Sequence, residues 1–119
     1  MEDLFFYQVE SGAWPLIDSY ELGDDLVFEV DLPGVTLDDL SIRVYDDLLI
    51  IEGSRADVHA GAGVMYLCME RYVKTFQRIV KIPVPVDAAA GKASYVNGVV
   101  TIRFPRLKNK FIAITIERV

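Results

Sequence analysis

The chain has 119 residues, enough for one domain with its own core, and 52% of them are apolar. Mean hydropathy is positive, yet no uninterrupted apolar run approaches the roughly 18 to 20 residues of a membrane span, so the surplus points to oligomer interfaces. A net charge of −6 argues against nucleic acid, which selects a basic face, and a lone cysteine, Cys68, excludes an intrachain disulfide.

The opening "MEDLFFYQVE" places acids where a secretory signal needs positive charge. With the single cysteine, this leads us to expect a cytoplasmic setting. Leu4, Phe5, Phe6 and Tyr7 form a short aromatic patch there, readable as a small arm or as a staple on the protein's own body. "DDLVFEVDLPGV" reads as a strand stopped by Pro33-Gly34, because proline removes a ladder donor. "LSIRVYDDLLIIEG" then alternates cleanly, with Leu40, Ile42 and Val44 on one face and Ser41, Arg43 and Tyr45 on the other. Asp46-Asp47 supply the turn of that hairpin.

Residues 56–65, "ADVHAGAGVM", read as a loop, and strand character is expected to resume in "YLCMERYVKTFQRIVKIP" until Pro83 and Pro85. Cys68 is read as a small buried hydrophobe. "VDAAAGKASYVNGVVTIRFP" holds at most one helical turn at its alanines, then a hairpin at Asn97-Gly98, where both residues accept positive φ. Short strands separated by turns predict an all-β fold, an antiparallel β-sandwich.

Catalytic chemistry finds little footing. His59 and Cys68 are too few for a zinc site, and "GAGVM" lacks the lysine and following helix of a phosphate cradle. The doublets Asp24-Asp25, Asp38-Asp39 and Asp46-Asp47 read as turn chemistry at strand ends. We therefore expect a protein that binds, with no catalytic residue, no cofactor and no metal. Residues 1–60 carry −13 and residues 61–119 carry +7. The two halves can offset each other in one sandwich, or steer one copy's second half onto another's first.

The last stretch, "FIAITIERV", alternates Ile112, Ile114 and Ile116 with Ala113, Thr115 and Glu117. Read alone, it is either the closing strand of its own sandwich or a strand lent to a neighbour.

Taken in order, "WPLIDSYE", "FEVDLPGVTLDDLSIRV", "LLIIEGSR", "MERYVKTFQRIVKIP" and "ASYVNGVVTIRFPR" resemble the α-crystallin domain of small heat-shock proteins in its bacterial style. The sequence departs at Val100, where the family signature has leucine, at Lys74, where many bacterial relatives have glycine, and in the brevity of the stretch before Trp14. The resemblance implies an immunoglobulin-like sandwich over residues 14–106, a short arm over 1–13, and an extension over 107–119. It also implies an ATP-independent chaperone that holds partly unfolded clients until ATP-dependent chaperones refold them.

Two interfaces follow from the same resemblance. A strand around "VMYLCMER", with Tyr66, Glu70 and Arg71, would swap onto a neighbour to build dimers of a homo-oligomer. The isoleucines at 112, 114 and 116 would dock as an added strand between "LSIRV" and "KASYV", against Leu40, Ile42, Val44 and Tyr95. Leu4 to Tyr7 would serve as a client-binding arm. An adaptor module of the same sandwich, similar to CS-domain co-chaperones, is the alternative.

Overall fold

A computed structural model describes residues 13–55, 61, 63–71, 75–108 and 113–119. Seven strands appear among them: β1 (Ile17–Leu22), β2 (Asp25–Asp31), β3 (Val35–Tyr45), β4 (Leu48–Arg55), β5 (Thr75–Lys81), β6 (Lys92–Val96) and β7 (Val99–Pro105). They form two antiparallel sheets, in the orders β1-β2-β7-β6 and β3-β4-β5. The fold is therefore the all-β sandwich expected from the alternating segments.

Register explains the core. Leu26, Phe28 and Val30 of β2 lie opposite Phe104, Ile102 and Val100 of β7, and all six are buried. In the second sheet Ile42 and Val44 of β3 face Ile51 and Leu49 of β4. Period-two alternation thus presents one apolar face per sheet, and the two faces close on each other. Phe28 and Phe104 meet edge to face at 6.1 Å, a favoured aromatic geometry.

Both anticipated hairpins are present. Asp46 (φ 53°) turns β3 into β4. Asn97 and Gly98, at φ 53° and 79°, turn β6 into β7 with Val96 opposite Val99. A Cβ at Gly98 would also lie 3.3 Å from Pro33, so the turn needs glycine both for its φ and for its room. The alanine run makes one 3-10 turn, Ala88–Ala90.

Three expectations need correction, and one stretch with no expectation proves to be a strand. Residues 64–71 form no strand, and the regular segment begins only at Thr75. Apolar residues there occupy both parities (Val64 and Tyr66, but also Met65, Leu67 and Met69), so no single face can be buried. Cys68 is consequently exposed rather than buried. Asp38-Asp39 lie inside β3, at the irregular register between Val35 and Leu40, where Thr36 Oγ1 donates to Asp39 Oδ2 at 2.7 Å. Finally, β1 is a full strand within the stretch known only as a motif.

The opposed charges of the two halves meet within the chain. Lys81 pairs with Asp47 (3.4 Å), Arg103 with Asp25 (3.6 Å), Arg106 with Glu21 (3.4 Å) and Lys108 with Asp24 (3.8 Å). Each pair joins an acid of the first half to a base of the second. Among the described residues no group of three or more potential metal ligands occurs, and no helix is long and apolar enough to cross a membrane.

Candidate docking interface

β3 ends one sheet and β6 ends the other, on the same flank of the sandwich. Between these edges lies a groove of about 440 Å³ lined by Ile42, Val44, Ala88, Ala89, Gly91, Lys92, Ala93, Ile102 and Phe104. Its chemistry is apolar, with Lys92 the one charged residue of the lining. Unpaired strand edges supply backbone donors and acceptors beside it. Such a flank can accept an extended segment with side chains at every second position.

The anticipated lining residues divide. Ile42 and Val44 stand in the groove, while Leu40 and Tyr95 do not line it, although both pack against the core. Tyr95 shares a face of β6 with Ala93, but it sits opposite Val100 near the hairpin turn. Its hydroxyl donates to the Leu32 carbonyl at 2.6 Å, which commits the ring to that end of the sandwich. Leu40 lies opposite Gly53 at the irregular end of β3.

Sequence reading missed the alanine wall and the floor. Ala88 and Ala89 come from the 3-10 turn, and Ile102 and Phe104 rise from β7 behind β6. A Cβ on Gly91 would fall 2.7 Å from the Phe104 ring, so glycine is what allows that ring to stand at the groove. The cluster of small residues was the available signal. Its meaning depends on which strand edge it faces.

The tail does not fill this groove from its own chain as far as it is described. Ile114 and Ile116 are 86% and 92% exposed, and residues 113–119 join no strand. Ile112 lies outside the described residues, as do Leu4, Phe5, Phe6 and Tyr7 of the arm, Lys74, and His59.

The anticipated dimer strand is equally open. Met65 and Leu67 are 84% and 97% exposed, and Val64, Tyr66 and Met69 are exposed as well. The Arg71 carbonyl accepts a bond from Arg55 Nη2 at 3.1 Å, and the Cys68 thiol faces Glu70 at 3.9 Å. Arg55 also lies over the Trp14 ring at 5.1 Å, and Trp14 packs edge-on against Phe76 at 5.3 Å. Arg78 Nη1 donates to the Pro15 carbonyl at 2.5 Å, so residues 14–15 lie along β5.

At the opposite sheet end, β1 has no strand partner on its outer side among the described residues. On its outer face the Tyr20 phenol is pushed above its ordinary pKa by desolvation and by the neighbouring Glu29 carboxylate. It therefore stays a neutral donor.

Comparison with known proteins agrees with this architecture. Residues 18–117 match the model of the Hsp20/alpha crystallin family. The chain is 29% identical over 97 residues to small heat shock protein C2 of Rickettsia felis, covering 82% of this chain and 63% of that protein. It is 34% identical over 91 residues to a 17.9 kDa class II heat shock protein of Glycine max, covering 76% and 57%. The chain thus spans less than two thirds of the length of these two relatives. Among solved structures, heat shock protein 16.0 from Schizosaccharomyces pombe superposes with a TM-score of 0.71 at 29% identity, covering 85% of this chain and 97% of that one. A small heat-shock protein from Xylella fastidiosa gives 0.71 at 27% identity, covering 87% and 96%. With the sandwich and the family match spanning 18–117, the chain belongs to the Hsp20/alpha crystallin family, the small heat-shock proteins.

Proposed function

We propose that this protein is an ATP-independent holdase of the cytoplasm, which covers apolar surface on partly unfolded proteins and keeps them from aggregating. The observation that carries the reading is a mismatch within one chain. It bears an apolar groove between two open strand edges and, separately, an exposed alternating isoleucine segment with no strand partner among the described residues. Each subunit's tail docks in another subunit's groove, where burying an isoleucine side chain is worth about 1.5–3 kcal/mol before ordering costs. Such contacts are reversible, and loosening them frees apolar surface for clients.

Residues 64–71 are read as the strand that joins two subunits into a dimer, with Tyr66, Glu70 and Arg71 in it. Its receiver is β1. β3 and β6 flank the groove, and β1 is the outer strand of the four-stranded sheet at the end away from it. The reading divides the chain into an arm over 1–13, the sandwich over 14–106 and an extension over 107–119. Leu4, Phe5, Phe6 and Tyr7 are assigned to client capture on their composition alone. Clients held in this way pass to ATP-dependent refolding chaperones.

Light scattering of a heat-unfolded client tests the holdase directly. At equimolar protein and without ATP, scattering is expected to be suppressed. Aggregation at the unprotected rate would leave an adaptor module of the same fold as the better reading.

A further inference from the structure

The root of the extension is fastened with unusual care. Val86 and Arg106 form an isolated bridge. The Arg106 amide donates to the Asp24 carbonyl at 2.8 Å, and the Leu107 amide donates to the Pro85 carbonyl at 3.0 Å. Side chains add to this. Arg106 Nη2 donates to the Gly23 carbonyl at 2.8 Å, Nη1 lies 3.4 Å from Glu21, and Lys108 Nζ lies 3.8 Å from Asp24. Arg106 Nε is buried with no hydrogen-bond partner among the described residues, so the guanidinium is held through its two terminal nitrogens.

Every side-chain contact of this set goes to one end of the β1–β2 hairpin: Glu21 near the end of β1, and Gly23 and Asp24 in the turn. Gly23 (φ 60°) and Asp24 join β1 to β2, and that turn closes the hairpin whose outer strand is a free sheet edge. The contacts from Arg106 and Lys108 therefore bind the exit of the extension to a hairpin that is far from it in sequence. Their carboxylates and the lysine are substantially exposed, which makes them sensitive to ionic strength. Without these contacts the backbone bonds at 106 and 107 hold the root alone and open more often, which frees the direction of the following chain.

We propose that the acidic β1–β2 turn, with Glu21 and Asp24, is an electrostatic latch on the root of the extension. Closed, it sets the direction in which the chain departs after Leu107. Opened by salt, or by a basic segment competing for the two carboxylates, it lets the tail sample many directions. The consequence for assembly rests on the tail-docking reading above, but the latch itself does not. Glu21 and Asp24 are thus positioning residues for the extension through their carboxylates, beside the one backbone bond that Asp24 accepts from Arg106.

Hydrogen exchange at the Leu107 amide of the full chain reads the latch, with the Leu32 amide, bonded to Gly98 at 2.7 Å, as the fold control. Glu21→Gln with Asp24→Asn is expected to raise exchange at Leu107 by about 2- to 30-fold, the range for two exposed ion pairs. Raising NaCl from about 50 to about 500 mM should do the same to the native chain and little to the double variant. Asp24→Lys should also loosen Leu107, and adding Lys108→Asp should restore it, which a merely destabilised turn would not do. Unchanged exchange at Leu107 with Leu32 still protected overturns the latch, and so does failure of the reversed pair to restore protection. Assembly mass, measured in parallel, separates the two readings. Loosened exchange with an altered mass supports both, whereas loosened exchange with an unaltered mass keeps the latch and overturns its control of assembly.

Discussion

Gly91 shows how much of the groove rests on one missing side chain. A methyl group there would press on the Phe104 ring at 2.7 Å and lie 3.1 Å from the Ala88 carbonyl, and overpacking of this kind costs about 1–3 kcal/mol. Gly91→Ala should therefore lower the urea midpoint without changing the slope of unfolding, and should narrow the groove as well. Residue-level legibility followed the same line. Alternation put Ile42 and Val44 on one face of a strand, and the family resemblance, not the alternation, implied a groove there. Ala88, Ala89, Ile102 and Phe104 could not be placed in it, because they reach it through a 3-10 turn and a strand behind β6. Sequence carries parity along a strand but not which edge another segment will face.

Elements were legible wherever local chemistry was decisive. Asn97 and Gly98 announce their hairpin because positive φ is cheap for few residues. Asn97→Ala should accordingly destabilise the sandwich by about 1–2 kcal/mol, the cost of an alanine in the left-handed region, read as a lower melting temperature. β1 went unseen as a strand because its inward positions include Ser19 and Glu21 beside Ile17, a weak alternation on an edge. Residues 64–71 misled in the opposite direction. They are apolar enough to suggest a strand, yet apolar on both parities, and they join no ladder among the described residues. Composition predicts a wish to pair, and only the sheet order tells whether a partner exists within the chain.

For the whole molecule, the tail and the body are separable in energy. Residues 113–119 are exposed and join no strand, so a chain ended after Lys110 should melt at the native temperature. Its assembly, measured by light scattering, should be smaller if the isoleucines bridge subunits. An unchanged mass would sink that role. The charge division between the halves belongs to this scale too. Lys81–Asp47, Arg103–Asp25, Arg106–Glu21 and Lys108–Asp24 join the acidic half to the basic half within one chain, so part of the polarity read from the sequence is offset on the sandwich's own surface.

The groove on one flank and the isoleucine segment on the same chain also carry a consequence for symmetry. Contacts between unlike surfaces run head to tail, and such a series ends only when the rotation per step returns to its start; otherwise it grows as a filament. Closure is then a property of an angle rather than of an affinity. Two chains with identical isoleucines and identical grooves, but with the segment leaving the body in different directions, would build objects of different size. If the proposed docking holds, Glu21 and Asp24, two exposed carboxylates at one end of the β1–β2 hairpin, would choose between a shell and a fibre by setting that angle.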